Sequence, residues 1–342
     1  MYQRELEATA AAMVAKGKGI LAIDESAPTC KKRFDSISVE STVENRRAYR
    51  ELLITVPGAA QFISGMILFD ETIRQSAADD TPFPVALKRQ GILVGIKVDA
   101  GAKKLAGASE EKVTEGLDGL RERLAEYRGM GASFAKWRAV ITIGEGIPSP
   151  YCLDANAHAL ARYAALCQEA GLVPVVEPEV LMDGKHTIER CFEVTEATLR
   201  SVFNVLYLQR VALEHMVLKA SMVISGSECP KRAGVEDVAK QTLLCLKRAV
   251  PAAVPGIVFL SGGQGAEEAT AHLNAMNLMG PNPWPLSFSY GRALQEPALK
   301  TWRGQSANVA AAQKALYHRE KMNGAACLGR YTVQMEQEKA AA

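Results

Sequence analysis

Eight short apolar runs recur along the chain, and each is followed by a segment with helical periodicity or by turn residues. The runs begin at Gly19, Phe62, Ile92, Ser133, Leu172, His215, Gly256 and Leu286. Their spacing of roughly 30 to 45 residues is the length of one strand and helix unit with its loop. Alternating strands and helices predict a parallel sheet covered on both faces, either open or closed into a barrel.

The number of units favours the closed form. We therefore predict an α/β fold with a single (β/α)8 barrel over residues 1–342, in which the barrel spans roughly 19–315 and a C-terminal tail spans roughly 325–342. An open sheet that binds a dinucleotide would carry GxGxxG after its first strand. That strand here ends in Asp24-Glu25-Ser26, and the glycine cluster Gly262-Gly263-Gln264-Gly265 comes seventh with the wrong spacing.

Helix signals lie between the runs. Ser41 and Glu44 have the spacing of a capping box, which predicts a helix that begins there. Asp154 is a candidate N-cap for another helix, and Gly171 is its candidate stop. The apolar stripes of these helices are interpreted as core packing.

The charge balance excludes several kinds of partner. The chain has 40 Lys and Arg against 38 Asp and Glu, for a formal net charge of +2. This balance argues against the broad basic face that nucleic acids and anionic membranes require. No run approaches the roughly 18 apolar residues of a membrane span, and the N-terminus lacks a signal-peptide pattern. The charge balance is compatible with a small anionic ligand, because such a ligand needs only a few local cations.

Cysteine and histidine usage indicates a reduced protein without a metal site. The seven cysteines are odd in number and form no CxxC pair, which is typical of an intracellular, cytoplasmic protein. The five histidines are scattered, without HxH or HExxH spacing, so zinc is disfavoured.

Charged residues occur at the C-terminal ends of most of the predicted strands. They are Asp24, Lys97, Lys136, Arg138, Glu177, Glu179, Lys219 and Arg292. Active sites of barrels are built at that end, so these side chains should converge. Taken singly, a strand lysine is more often an edge or surface residue, and a purely structural ion cluster is the other alternative.

The crowded lysines suggest amine chemistry. Burial and neighbouring cations disfavour an ammonium, and a free amine can attack a carbonyl. Lys219 follows the apolar residues 216–218 and is the candidate nucleophile, with Lys136 as its cationic neighbour. Glu177 or Glu179 could shuttle the proton, and Asp24 could act as base on a substrate hydroxyl.

Phosphate signals come from the last two strands. Ser261-Gly262-Gly263 precedes a predicted helix start, and Tyr290-Gly291-Arg292 adds a close backbone approach and a guanidinium. In an alternative interpretation without a ligand, the acidic residues 267–268 satisfy the dipole of that helix themselves, and the glycines only turn the chain. A second cationic group, with Lys97, Arg138 and Arg46, would suit a substrate with phosphates at both ends.

These residues resemble one enzyme family specifically, the class I fructose-1,6-bisphosphate aldolases. The matching stretches are GKGILAIDES, ENRRAYRELL, GMILFDET, GIKVDAG, GLDGLRER, FAKWR, LARYAALCQEAGLVPVVEPEVL, FLSGGQ and SFSYGRALQ. They span nearly the whole chain in the expected order. PNPW and VPGIVFLSGG are similar to the plastid and cyanobacterial branch.

The resemblance implies reversible cleavage of fructose 1,6-bisphosphate to dihydroxyacetone phosphate and glyceraldehyde 3-phosphate, in glycolysis, gluconeogenesis or carbon fixation, without metal or other cofactor. It implies that Lys219 forms the Schiff base and Glu177 acts as acid and base, with Glu179 and Lys136 positioning groups and Asp24 acting at the C4 hydroxyl. It places the C1 phosphate at Ser261, Gly262, Gly263, Gly291 and Arg292, and the C6 phosphate toward Ser26, Thr29, Lys97 and Arg138, with Arg33 and Arg46 as further contacts.

The resemblance also implies a homotetramer in the cytoplasm, or in the plastid stroma for a processed chain. Relatives end in a tyrosine that assists protonation of the enamine, whereas this sequence ends in Glu338-Lys339-Ala340-Ala341-Ala342 and its last tyrosine is Tyr331. A transaldolase-like Schiff-base enzyme and a noncatalytic aldolase-like scaffold are the alternative functions.

Overall fold

Eight parallel strands form the centre of the structure, a computed structural model that describes residues 2–108 and 110–337. These strands are β1 Gly19–Ala22, β2 Ile63–Leu68, β3 Leu93–Lys97, β6 Phe134–Ile141, β7 Val173–Val180, β8 Val217–Ala220, β9 Ile257–Phe259 and β10 Leu286–Tyr290. A separate antiparallel hairpin consists of β4 Ala102–Lys104 and β5 Lys112–Thr114. All eight predicted strands are therefore present.

The barrel closes on itself. Neighbouring strands follow the order β1, β10, β9, β8, β7, β6, β3, β2, and β2 pairs again with β1. The pair β9 and β10 therefore lies across the barrel from β6 and β3, with β8 and β7 between them on one side. This closed parallel order confirms the predicted (β/α)8 barrel.

Helices cover the outside of the barrel and one of its ends. The α-helices are α1 Gln3–Met13, α2 Ala27–Asp35, α3 Val43–Ile54, α4 Asp70–Ile73, α5 Phe83–Arg89, α6 Leu120–Gly129, α7 Pro150–Ala170, α8 Ile188–Leu208, α9 Val235–Ala249, α10 Ala266–Leu278, α11 Arg292–Trp302 and α12 Val309–Ala326. Short 3-10 helices lie at Ala59–Gln61, Leu213–His215, Ser306–Asn308 and Val333–Glu336. No described helix is both long and apolar enough to cross a membrane.

Two of the predicted helix caps are wrong by position. Helix α3 is capped by Thr42, whose side chain accepts from the N–H of Asn45 at 3.0 Å, and not by Ser41. The helix predicted to start at Asp154 begins earlier, because Ser149 caps it ahead of Pro150, a favourable first helical residue. It ends at Gly171 in a left-handed conformation, as predicted.

The inward face of the strands changes from apolar to charged along the barrel axis. On β7, Val173 and Val175 belong to the core inside the barrel, which α1 closes from below. Glu177 and Glu179 follow with the same alternation and therefore face the same side. On β8 the same change occurs from Val217 to Lys219. The apolar half fills the barrel, and the charged half forms the floor of a cavity at the C-terminal ends of the strands.

Candidate active site

A cavity of about 910 Å³ opens at the C-terminal ends of the strands. Its walls contain residues from seven of the eight barrel strands or the segments that follow them, and β2 is the exception. The predicted site residues that line it are Asp24, Ser26, Thr29, Arg33, Lys97, Lys136, Arg138, Glu177, Glu179, Lys219, Ser261, Gly262, Gly263, Gly291 and Arg292. The convergence expected from the strand-end pattern therefore occurs, and Arg46 is the one predicted site residue that does not line the cavity.

Glu177 bridges two lysines at the floor of this cavity. Its Oε1 lies 3.0 Å from Nζ of Lys219, and its Oε2 lies 3.3 Å from Nζ of Lys136. All three side chains are buried. Burial raises the pKa of Glu177, but the charges of Lys136 and Lys219 outweigh it and hold the pKa below its usual value. A carboxylate is thus in place to exchange protons with the Lys219 amine.

Lys136 also forms an ion pair with Asp24, which follows β1. Its Nζ lies 2.6 Å from Oδ2 of Asp24, on the opposite side from Glu177. Burial opposes its charge, but Asp24 and Glu177 raise the pKa of Lys136 well above its usual range. The same lysine, assisted by Lys219, overcomes the effect of burial on Asp24 and holds the pKa of that carboxyl well below its usual range. Lys136 is therefore a fixed cation between two ionised carboxylates.

A second set of ion pairs lies on the β3 and β6 side of the cavity. Arg138 donates through Nε to Glu179. Lys97 pairs with Asp99 at 3.0 Å, and Asp99 also accepts from the N–H of Arg138 at 3.2 Å. Lys97 and Arg138 thus present their charges at this side of the cavity from fixed positions.

A tight turn at residues 261–264, called here the 261–264 turn, faces them from the end of β9. Gly262 and Gly263 have φ values of 53° and 98°, the left-handed region that glycine tolerates. Within the described residues, neither glycine N–H has a protein acceptor. A Cβ on Gly263 would lie 3.4 Å from Nη2 of Arg292, so that guanidinium packs over the turn. Free N–H groups in consecutive left-handed residues beside a guanidinium suit an anion.

The N-cap N–H group of α10, the helix after this turn, donates to an acidic side chain of the same helix. Glu268 accepts from the N–H of Gly265 at 3.2 Å and pairs with Arg232 at 2.8 Å. The alternative interpretation, in which the acidic residues satisfy the start of their own helix, therefore holds for Glu268. The N–H groups of Gly262 and Gly263 belong to the turn that precedes this N-cap, and Glu268 does not contact them.

The sequence and its fold match known proteins over nearly their full lengths. The family profile "Fructose-bisphosphate aldolase class-I" matches residues 5–342. This chain belongs to the class I fructose-bisphosphate aldolase family.

Individual relatives agree with the family match. A probable fructose-bisphosphate aldolase class 1 of Xanthomonas campestris is 63% identical over 97% of this chain and 99% of its own length. The chloroplastic fructose-bisphosphate aldolase 1 of Chlamydomonas reinhardtii is 53% identical over 99% of this chain and 90% of its own. The solved Plasmodium falciparum aldolase, in complex with TRAP and an inhibitor, superimposes with a TM-score of 0.95 at 49% identity, over 96% of this chain and 95% of that one. These matches decide against the transaldolase-like alternative and confirm a lyase that cleaves fructose 1,6-bisphosphate through a Schiff base.

One predicted substrate contact of this aldolase lies elsewhere. Arg46 donates to both carboxylate oxygens of Glu71, at 2.7 and 2.6 Å, and to the carbonyl of Ser41 at 2.6 Å. It does not line the cavity. The guanidinium of Arg46 is engaged by Glu71, and Arg46 does not line the cavity with Lys97 and Arg138.

Other residues of the site were missed by sequence reasoning. Glu25 pairs with Arg33 at 3.0 Å and with the buried Arg50 at 2.9 Å, and so holds Arg33 at the rim. Ser289 lines the cavity with a buried hydroxyl that has no partner among the described residues. Its alternation with Gly291, which directly follows β10, was the signal that could have found it. Asp183 comes from a loop, where periodicity gives no signal.

The remaining observations concern a metal site and the C-terminal part of the chain. Among the residues described, no group of three or more His, Cys, Asp and Glu side chains could hold a metal ion. Tyr331 is buried, its N–H donates to Asn274 at 3.0 Å, and it does not line the cavity. The terminal residues 338–342 lie outside the described part of the chain.

Proposed function

We propose that Lys219 is the amine that forms the Schiff base with the C2 carbonyl of fructose 1,6-bisphosphate. The observation that carries this proposal is the 3.0 Å contact between Lys219 and Glu177 on the floor of a cavity with cations on opposite sides. Lys219 is buried and reaches the cavity through its Nζ. An exposed surface lysine would lack both the partner and the enclosed space.

The first half of the reaction uses Lys219 and Glu177. Glu177 accepts a proton from the Lys219 ammonium, and the free amine attacks C2 to give a carbinolamine. Glu177 then returns a proton to the departing hydroxyl, so that water leaves and an iminium forms. Lys136 keeps its charge beside Glu177 and balances the carboxylate through both transfers.

The second half breaks the bond between C3 and C4. Asp24 takes the proton of the C4 hydroxyl, the bonding electrons move to C3 and neutralise the iminium, and C4 leaves as the aldehyde of glyceraldehyde 3-phosphate. Protonation of the enamine at C3 and hydrolysis of the imine release dihydroxyacetone phosphate and restore Lys219. Glu179 contributes by fixing Arg138 near the second phosphate.

The two phosphates are assigned to opposite sides of the barrel. The C1 phosphate binds the 261–264 turn together with Gly291 and Arg292, beside Arg33. The C6 phosphate lies toward Lys97, Arg138, Ser26 and Thr29. The strand order supports this assignment, because β9 and β10 lie across the barrel from β3 and β6 while Lys219 lies between them on β8.

The test is cleavage of fructose 1,6-bisphosphate by the purified chain in the presence of EDTA. Wild type should remain active, and Lys219→Ala should lose activity by several orders of magnitude, because removal of a covalent nucleophile leaves only binding contributions. Lys240→Ala, which changes an exposed lysine on α9, is the matched control and should retain full activity. An inactive wild type would support the noncatalytic scaffold instead.

We also propose that the whole chain acts as one domain and as a homotetramer in the cytoplasm. Exposed apolar side chains at the end of α8 support assembly, since Tyr207 and Leu208 are 79% and 65% exposed in the single chain. Seven free thiols support a reducing compartment. The plastid stroma is the alternative, since a chloroplastic relative is among the matches.

A further inference from the structure

A buried histidine of helix α10 contacts the back of the 261–264 turn. Nδ1 of His272 lies 2.6 Å from Oε1 of Gln264, and both side chains are almost fully buried, at 2% and 4% exposure. Neither residue is needed for any step of the aldol chemistry described above. His272 does not line the cavity, so it cannot touch substrate directly.

Gln264 uses its other end to close the turn. Its side-chain Nε2 donates to the carbonyl of Ser261 at 3.0 Å, and its backbone N–H donates to the same carbonyl at 2.9 Å. One carbonyl thus receives two hydrogen bonds from one residue, across the two glycines. The side-chain bond depends on the orientation of the Gln264 amide, which its contact with His272 sets.

The direction of the hydrogen bonds fixes the tautomer of the histidine. Because Nε2 of Gln264 donates to Ser261, Oε1 is the acceptor, and Nδ1 of His272 must carry the proton. Burial lowers the pKa of His272 to about 4, so the ring is neutral at physiological pH. A neutral donor adds no charge behind the phosphate site and serves only to hold the amide.

We propose that His272 and Gln264 are positioning residues for the C1 phosphate: they hold the 261–264 turn in the conformation that presents the N–H groups of Gly262 and Gly263. Both glycines have positive φ values, so the turn has a wide range of accessible backbone conformations when it is not held. Order in the free turn reduces the entropy lost when phosphate binds. The inference rests on the proposed function, since it assigns a support to the phosphate site of that reaction.

The experiment measures the concentration of dihydroxyacetone phosphate that half-saturates its borohydride-trapped adduct on the full-length protein. His272→Ala should raise this concentration about 5-fold, the effect of losing one net hydrogen bond, and leave the adduct at saturation complete. The same titration with dihydroxyacetone, which lacks phosphate, should be unchanged in the variant. A general loss of folding would affect both ligands alike.

Three further variants separate positioning from packing. His272→Asn should restore the wild-type value, because the Asn Nδ2 donor occupies nearly the position of the histidine Nδ1. Gln264→Ala probes the other end of the link and should give the same phosphate-specific shift, even if His272→Ala fails to fold. Thr270→Ala is the control: this buried α10 residue bonds to Asn323 and Arg319 instead of the turn, and its removal should leave phosphate affinity unchanged.

Each contrary result has a distinct meaning. Unchanged half-saturation in both His272→Ala and Gln264→Ala, with wild type trapped normally, overturns the positioning role and leaves the proposed function standing. An equal shift in Thr270→Ala, or in the dihydroxyacetone titration, overturns it as a packing effect. Failure of wild type to form any adduct removes the proposed function and this inference with it. Arg292→Ala, which deletes a guanidinium over the same turn, is the positive control for a loss of phosphate affinity.

Discussion

Lys136 determines the charge state of the carboxylates on the cavity floor. It contacts Asp24 at 2.6 Å and Glu177 at 3.3 Å, and it lowers the pKa of both. Without a cation at this position, two buried carboxylates would face each other and Lys219, and burial would favour their protonated forms. The ion cluster therefore keeps Asp24 and Glu177, the proposed base and the proposed proton acceptor, ionised in a buried site.

A single substitution should separate the proposed role of Asp24 in bond cleavage from the proposed role of Lys219 in adduct formation. Asp24→Asn keeps the size of the side chain and an oxygen for Lys136 but removes the carboxylate that is the proposed base at the C4 hydroxyl. We expect cleavage of fructose 1,6-bisphosphate to fall by about 10²-fold or more, the usual contribution of a positioned base. The adduct with dihydroxyacetone phosphate should still form, because that ligand has no C4. Parallel loss of adduct and cleavage would show that Asp24 acts earlier than proposed.

Most of the residues that line the candidate site could be predicted from the sequence for a physical reason. Alternation on a strand places Glu177, Glu179, Lys136 and Lys219 on one face, and the closed barrel turns that face inward. Arg46 was outside the reach of this argument, because a helical arginine can reach several partners and only the fold shows that Glu71 holds it.

At the scale of elements, the interior of the barrel depends on glycines that accommodate one aromatic ring. A Cβ on Gly95 of β3 would lie 2.2 Å from Cε2 of Phe134, and one on Gly65 of β2 would lie 2.9 Å from its Cε1. Phe134 is fully buried on β6, below Lys136 on the same face. The ring fills the layer beneath the charged floor and thereby supports the position of Lys136.

Gly95→Ala tests this packing. We expect a loss of about 1–3 kcal/mol in the free energy of unfolding, since the added methyl overlaps a ring with no free space around it. Gly129→Ala is the matched control, because nothing lies within 4 Å of its Cβ position at the end of α6. It should be neutral or stabilising by up to about 1 kcal/mol. Urea unfolding measures both, and equal stabilities of the two variants would contradict the packing argument.

Helix α12 contains a buried acidic residue, Glu320. Glu320 is fully buried, and neither carboxylate oxygen has a hydrogen-bond partner among the described residues. Burial raises the pKa of Glu320 to about 8, from an ordinary value of 4.5. The folded chain therefore keeps a proton that the unfolded chain releases above pH 4.5, so this group's contribution to stability falls as pH rises from 4.5 to 8 and is lowest above 8.

Glu320→Gln removes this titration. We expect the melting temperature of the variant to exceed that of wild type by roughly 2 °C or more at pH 8.5, and to approach it at pH 5. Glu7→Gln, at an exposed position on α1, should leave the pH profile unaltered. Parallel profiles for wild type and Glu320→Gln, measured by differential scanning calorimetry, would show that the buried carboxyl does not retain its proton.

Elements differ in how well the sequence predicted them. The barrel strands are apolar runs bounded by turns, so their order and closure could be inferred. The β4 and β5 hairpin was not predicted, because its residues AKK and KVT are too short and too polar to give a signal. The cap of α3 was misplaced by one residue, since Ser41 and Thr42 both carry a hydroxyl and only the backbone decides between them.

At the scale of the molecule, the order of strands around the barrel supports the proposal that the two phosphates of the substrate bind on opposite sides of the cavity. The closed barrel separates the 261–264 turn from Lys97 and Arg138 by its own width and leaves Lys219 between them. A near-neutral total charge is compatible with this arrangement, because most of the cations at the site are balanced by carboxylates such as Asp99, Glu179 and Glu25.

The proposed assembly is a property of the whole molecule. Sedimentation equilibrium should give a mass about four times the 36.9 kDa of the chain. Tyr207→Lys, placed at the exposed end of α8, tests whether that surface is buried between subunits, since a new charge there would oppose association. A wild-type monomer would rule out the tetramer, and an intact tetramer of Tyr207→Lys would locate the contact elsewhere.

The proposed covalent role of Lys219 is tested most directly by borohydride reduction in the presence of dihydroxyacetone phosphate, followed by peptide mapping. Reduction should fix one equivalent of the ligand per chain on the peptide that contains Lys219, and Lys219→Ala should acquire none. An adduct on Lys136 or Lys97, or no adduct in an active enzyme, would contradict the mechanism.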